Sequence, residues 1–394
     1  MASSKTILAG LTILILAFAC AGGLLPSSFG ASPQVPIIDQ PATRICSILY
    51  VWYGFNQTSL KWTGGLKTSH WNDTSGGIVK DTPYYGYYSS MAEIPEQLQL
   101  IQEAGLNCVI VSWWGWGVTN FSKPTSLNML DEAINNATKE VFADVEAMNS
   151  TFQVGLLVDA FNTTDLSASA YTQIYNYTWD NFYAPYINYT ISWQDKPLLM
   201  WFNPLVPPAN STFTSRVTGN NLADAQWIFW KAPGQFFDSY GGTADPGNGY
   251  VGNPPVSNDG FVSIIPSYDD YYLYLAGSRP GYMRVDYQLS QGLYQQEWSD
   301  VIQQEKSSNN IRLVVIYSWN EYHEQSAIEP HSVFTNPNAQ DFYLYDLTQQ
   351  YTASMEAAPT TYGYSGFFVA SFTMLGVIAV LGLSFYGVKM LRKK

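Results

Sequence analysis

Short runs of apolar, β-branched and aromatic residues alternate along this chain with longer stretches in which apolar positions recur every three to four residues. Ile45 to Tyr53 reads as the first strand, and Asn107 to Trp114, Phe152 to Ala160, Pro197 to Phe202, Gln226 to Trp230, Phe261 to Pro266 and Ile311 to Ser318 read as six more. Between them, Ile94, Leu98 and Ile101 share one helical face that ends at Gly105, where a left-handed C-terminal cap belongs. Ser126 is placed to cap a long helix that keeps Leu127, Leu130, Ile134, Val141, Val145 and Met148 at helical spacing up to Asn149. Further helices are expected near 168–187, 289–306 and 341–355. Strand and helix in alternation imply a parallel sheet. The expected fold class is α/β, a (β/α)8 TIM-like barrel in which one of the eight strands is too short or irregular to read. A doubly wound sheet fits less well, because no Gly-rich phosphate loop follows the first strand and aromatic or polar residues end nearly every strand.

Two apolar segments stand outside this alternation. Ile7 to Leu25 follows Lys5 and carries cleavage-like patterns at Ala17-Phe18-Ala19 and Ser28-Phe29-Gly30, so residues 1–30 read as a signal peptide or an uncleaved signal anchor. Gly366 to Val388 runs for 23 residues without a charge and is followed by Lys389, Arg392, Lys393 and Lys394. That is the pattern of a C-terminal transmembrane helix (366–388) with a cytoplasmic basic tail (389–394). The expected organisation is a barrel domain over 40–355 and a juxtamembrane linker over 356–365. The expected location is the cell membrane, single-pass, with the barrel outside.

Composition sharpens this picture. Only 12% of residues are charged while 16% are aromatic, which excludes a disordered chain. Setting aside Lys5 and the four basic residues of the tail leaves 13 of the 18 basic residues against all 31 acidic ones. So acidic a domain repels nucleic acid and anionic membrane surfaces, and neither is an expected partner. Nine Asn-x-Ser/Thr sequons, beginning at Asn56, Asn72, Asn120, Asn136, Asn149, Asn162, Asn176, Asn188 and Asn210, agree with an external location. Cys46 and Cys108 lie near the starts of two expected strands and fit either a disulfide between neighbours or a pair of buried free thiols.

The densest chemistry lies at the end of the last strand, in Tyr317-Ser318-Trp319-Asn320-Glu321-Tyr322-His323-Glu324 and the following Ile328-Glu329-Pro330. Barrel enzymes place their catalytic groups at the C-terminal ends of strands, and glycoside hydrolysis generally uses two carboxyl groups there. Glu321 and Glu324 are the candidate catalytic pair. Aromatic strand ends at Trp52-Tyr53 and Trp113-Trp114-Gly115-Trp116 offer flat faces to sugar rings, although strand alternation lets only one of Trp113 and Trp114 face inward. The candidate substrate-binding residues are Tyr53, His70, Trp71, Trp113, Trp114, Trp116, Asp159, Tyr268, Asn320 and His323. Three histidines without compact spacing do not make a zinc site, and no metal is expected.

The segment Trp319-Asn320-Glu321-Tyr322-His323-Glu324 with Ile328-Glu329-Pro330 resembles the Asn-Glu-Trp-His-Glu and Ile-Glu-Pro signature of glycoside hydrolase family 99, the endo-acting α-mannosidases and α-mannanases. Supporting matches are Trp52-Tyr53-Gly54, His70-Trp71-Asn72, Tyr87-Tyr88-Ser89-Ser90, Ser112-Trp113, Arg279-Pro280 and Trp298, so the likeness spans about 45 to 331. Such a resemblance implies that Glu321 deprotonates the sugar 2-hydroxyl, which attacks the anomeric carbon to give a 1,2-anhydro sugar, and that Glu324 serves as acid and then base. It implies retention of configuration, no cofactor, and polysaccharide or glycoprotein glycans as partners. The chain departs from the family pattern at Val158-Asp159-Ala160-Phe161 and at Ser267-Tyr268-Asp269-Asp270, segments expected to line sugar subsites. A non-catalytic glycan-binding or cell-envelope protein is the alternative expectation, and a glycosyltransferase the third.

Overall fold

The computed structural model describes residues 43–56, 61–62, 71–73, 77–79, 81–84, 86–88, 90–114, 125–159, 174, 176–193, 196–202, 226–230, 260–277, 281–308, 310–333, 336 and 341–356. Among these, strand β1 (Arg44–Tyr50), helix α1 (Ser90–Glu103), β2 (Cys108–Trp113), α2 (Thr125–Ala147), β3 (Gln153–Val158), β4 (Lys196–Phe202), β5 (Gln226–Trp230), β6 (Phe261–Ile264), α3 (Leu293–Ser308), β7 (Leu313–Ile316) and α4 (Tyr343–Glu356) follow in order. All seven strands expected from the apolar runs are present. They form one parallel sheet in the order β5-β4-β3-β2-β1-β7-β6. In a curled parallel sheet one face packs on the crossover helices and the other on the interior, and β2 and β7 accordingly read Cys-Val-Ile-Val-Ser-Trp and Leu-Val-Val-Ile with every residue buried. Neither an eighth strand of this sheet path nor a pairing of β5 with β6 occurs among the described residues.

The helices follow their sequence patterns closely. The long helix begins at Thr125, one residue before the expected cap, and the others fall within a few residues of their expected bounds. Gly105 closes α1 at φ 80°, and a side chain there would meet the Thr352 hydroxyl of α4 at 2.2 Å, so this turn needs glycine twice over. The helix expected near 168–187 is less regular: residues 176–178 are helical, Trp179–Tyr183 widens to a π turn and Ile187–Tyr189 is a 3-10 turn. Cys46 and Cys108 stand opposite each other in the β1–β2 register and form a disulfide, with Cα atoms 4.6 Å apart. Among the described residues no helix is long and apolar enough to cross a membrane; the segments Ile7 to Leu25 and Gly366 to Val388 lie outside them.

Candidate active site

β7 ends at Ile316, but its hydrogen bonding to the neighbouring strands continues for several residues. The Tyr317 N–H donates to the Ile264 carbonyl of β6, and the Trp319 N–H to the Ile48 carbonyl of β1. Asn320 then adds a side-chain rung: its Oδ1 accepts from the Tyr50 N–H at 2.8 Å, and its Nδ2 donates to the Tyr50 carbonyl at 2.9 Å and to the Tyr88 hydroxyl at 3.0 Å. The chain now turns back, because the Ser318 N–H reaches the Ser326 carbonyl and the Ile328 and Glu329 N–H groups reach the Trp319 carbonyl. Glu321 and Glu324 sit on the resulting loop, at the C-terminal end of the sheet, 3% and 8% exposed.

Each carboxylate has its own support. The Glu321 N–H is held by the Ser318 hydroxyl at 2.7 Å, while Oε1 of its side chain accepts from the His323 N–H at 3.0 Å and lies 3.5 Å from His323 Nδ1. Glu324 accepts a short hydrogen bond from the Tyr317 hydroxyl, and that hydroxyl accepts one from Tyr50 at 3.2 Å. Burial pushes the Tyr50 phenol far up, and the nearby Asp159, Glu321 and Glu324 carboxylates push it further; burial acts on Tyr317 in the same way, followed by Glu324. Both phenols therefore stay neutral and form a donor chain that ends on Glu324. Asp159, at the end of β3, accepts from Ser112 at 2.8 Å.

Aromatic rings form the adjoining wall. Trp52 packs edge-on against Trp114, at 5.2 Å between centroids, and against His323 at 6.3 Å, and both indoles are only partly buried. Tyr268 lies close enough to Tyr317 to perturb its phenol. Thus the structure gathers Glu321, Glu324, His323, Trp114, Asp159 and Tyr268 of the expected set around one end of the sheet. Tyr50, Trp52 and Tyr317 join them. Tyr50 and Tyr317 were absent from the expected set, although each ends a strand whose next residues carry the chemistry, and that position was the signal available.

Four expected ligand contacts are corrected. Trp113 faces away from the carboxylates, wholly buried, with its indole N–H on Asn135 of α2 at 3.0 Å and its ring stacked on Tyr177. Alternation gave the inward place to Trp114. Tyr53 is fully buried, stacked on Trp71 at 3.9 Å, and its hydroxyl donates to the Asn320 carbonyl at 2.7 Å. Trp71 is 2% exposed with its N–H on the Tyr88 carbonyl, and Asn320 has both amide hydrogens engaged by protein. Tyr53, Trp71 and Asn320 thus brace the loop that carries Glu321 and Glu324, while Trp113 packs on α2. His70 and Trp116 lie outside the described residues.

Beneath the loop is a further carboxylate that was quoted in the motif without a role. Glu329 is 2% exposed and accepts from Tyr88 at 2.8 Å, Tyr322 at 2.6 Å and Gln97 at 2.8 Å, while Gln97 accepts the Trp319 indole N–H. Burial raises it to about 7 against the pull of these donors. Its partners flank Glu321 on both sides, so the network fixes the base of the loop. On the outer side of Tyr88 and Gln97 a cleft of about 360 Å³ opens along α1, lined also by Glu93, Glu96 and Glu103, at a different place from the Glu321 and Glu324 pair. Among the described residues, no group of three His, Cys, Asp or Glu side chains is placed to hold a metal ion.

No family model matches the sequence, and no curated protein matches it. Solved structures do. The GH99 endo-alpha-mannosidase from Bacteroides thetaiotaomicron superposes with a TM-score of 0.51 at 18% identity, covering 81% of this chain and 99% of that one. The same enzyme in complex with BIS-TRIS-propane gives 0.52 at 19% identity, with coverage of 80% and 98%. The sheet of parallel strands and its crossover helices are thus those of a TIM-like glycoside hydrolase fold, and the chain shares the fold of glycoside hydrolase family 99 at low sequence identity.

Proposed function

We propose that this protein is an endo-acting glycoside hydrolase that cleaves α-mannosyl linkages in polysaccharide or glycoprotein glycans. The observation that carries this reading is the buried pair Glu321 and Glu324 on one loop at the C-terminal end of the sheet, with the Tyr50 and Tyr317 phenols chained to Glu324, His323 beside Glu321, and partly exposed indoles next to that histidine. Fold likeness to an endo-alpha-mannosidase points to the same reaction class. In the proposed mechanism Glu321, steadied by His323, removes the proton from the 2-hydroxyl, and the resulting oxygen attacks the anomeric carbon. Glu324 protonates the departing glycosidic oxygen and then takes a proton from the water that opens the 1,2-anhydro sugar, while Glu321 returns its proton to the 2-oxygen. Configuration is retained without a covalent bond to the enzyme. Tyr317 holds the Glu324 carboxylate and Tyr50 extends that chain, so both orient the proton-transferring group.

The proposal includes anchoring at the cell surface by Gly366 to Val388, with the catalytic domain outside. The Cys46–Cys108 disulfide supports an oxidising compartment, and the sequons agree with it. The test uses the full-length chain with α-mannans and mannose-rich glycans between acidic and neutral pH, with products read by mass spectrometry. Internal cleavage, absent from Glu321→Gln and Glu324→Gln, is expected. Cleavage that persists undiminished in both variants sinks the assignment, and binding without turnover transfers it to a glycan-binding protein.

A further inference from the structure

The loop after β6 carries a feature that the catalytic residues do not use. Tyr268–Asp269 pairs antiparallel with Arg284–Val285, and between these rungs the chain makes a short helix, Tyr271–Leu275, before returning through Tyr282. Asp270 fastens the excursion through the Met283 N–H at 2.6 Å. Three tyrosines meet on its surface, with centroids 5.0 Å apart for Tyr271 and Tyr282 and 5.2 Å for Tyr274 and Tyr282. Tyr274 and Tyr282 are 39% and 41% exposed, and the adjoining Leu275 is 59% exposed. Large aromatic groups left in water at one place mark a recognition surface.

Two further observations decide what it recognises. The Asp269 N–H donates to the Glu324 carbonyl at 2.8 Å, so the excursion is attached directly to the catalytic loop and stands on the same rim. Arg284 lies over the Tyr271 ring at 4.2 Å, and its charge is met by Asp269 at 3.0 Å, which leaves the patch without a free cation from this residue. An acidic protein with a net charge of −13 and a neutralised arginine at this patch does not attract an anionic chain. Flat phenol faces with hydroxyls at their edges suit the C–H faces and hydroxyls of neutral sugars.

We propose that the Tyr271, Tyr274 and Tyr282 face is an outer sugar subsite that holds a neutral glycan chain beyond the residues undergoing cleavage. It rests on the glycoside hydrolase reading above and extends it to substrate length. The full-length chain and its Tyr274→Ala/Tyr282→Ala variant are compared on a soluble α-mannan and on a short α-mannosyl tetrasaccharide, and by retention in gels containing the mannan. The expected result is a KM about tenfold higher on the polymer with an unchanged kcat, unchanged kinetics on the tetrasaccharide, and weaker retention, as loss of stacking on this scale predicts. Tyr274→Phe/Tyr282→Phe, which keeps the rings, should restore most of the affinity. Equal losses on both substrates, or no loss on either, overturn the subsite. If the wild type cleaves nothing yet its retention still depends on these rings, the subsite stands and the catalytic reading falls. Wild type that neither cleaves nor is retained overturns both, and a dimer dispersed by the alanine variant without change in retention reassigns the face to self-association.

Discussion

At the N-terminal ends of β1, β2 and β7 the chain is closed by a disulfide and by neutral hydrogen bonds: Cys46 to Cys108, the Ile45 N–H to Asn107 Oδ1, Asn107 Nδ2 to the Thr43 carbonyl, and the Thr43 hydroxyl to the Ile311 carbonyl. At the C-terminal ends of the same strands lie Glu321, Glu324 and Glu329, all nearly out of water. Burying carboxylates costs stability unless donors surround them, whereas the crosslink and the neutral hydrogen bonds of the opposite end add stability without that cost. One end of three strands therefore holds the fold and the other works against it. That division is the usual one for a barrel of this class.

The sharpest way to break the comparison is to alter the carboxylates alone. Glu321→Gln and Glu324→Gln should each lower kcat/KM by about a thousandfold, within the range expected for a lost proton-transfer group, while the urea midpoint stays level or rises. A matching fall in stability would mean that these residues hold the loop rather than act on substrate. Replacing Cys46 and Cys108 together by Ser is the converse change. It opens a crosslink spanning a sequence separation of 62 and should cost about 4 kcal/mol in urea unfolding, with kcat retained in the protein that remains folded. Loss of kcat in that folded fraction would show the two ends to be coupled.

Glu329 offers an intermediate case, because it is structural in contact but costly in charge. A carboxyl at about 7 in the fold and near 4.5 when unfolded binds its proton more tightly in the folded state. Stability from this group is therefore complete below pH 4.5 and is lost as pH rises through 7, by about 3 kcal/mol in total. Glu329→Gln should remove that slope from urea unfolding measured across the same range; parallel curves for wild type and variant would contradict it. The smallest effect is expected for Tyr317→Phe. Losing one hydrogen bond to the Glu324 carboxyl group should lower kcat about tenfold and leave the midpoint nearly unchanged, and an unaffected kcat would remove the phenol from the mechanism.

Much of this was legible in the chain. Every described strand of the main parallel path announced itself, because strands buried on both faces read as apolar runs, and Leu313 to Ile316 has no polar residue to blur the signal. Glu321 and Glu324 were legible for the same reason, as charges directly after such a run. What escaped was the direction of neighbouring rings. Trp113, Tyr53 and Trp71 have the composition of a sugar-binding wall, yet each spends its polar atom on the fold, and only the partner residues Asn135, Asn320 and Tyr88 reveal it. Tyr50 and Tyr317 were missed for the complementary reason. A tyrosine inside an apolar strand looks like packing until the residue opposite is known, and the two phenols are brought together by the β1–β7 pairing across 267 positions.

The side-chain rung between Asn320 and Tyr50 also has a meaning in time. Its two halves are 270 positions apart, so at roughly 5–20 residues per second the ribosome finishes Asn320 on the order of 15–50 s after Tyr50. Until then β1 has β2 on one side and nothing from β7 on the other, with an edge of unpaired amides in a strand that is otherwise apolar. β7 and the loop of Glu321 and Glu324 are the last part of the described sheet to be made and complete the pairing of its first strand. Translation that stops short of this loop would leave a chain that lacks both glutamates and is prone to associate, so truncated products should be found with chaperones or in aggregates rather than as idle folded domains.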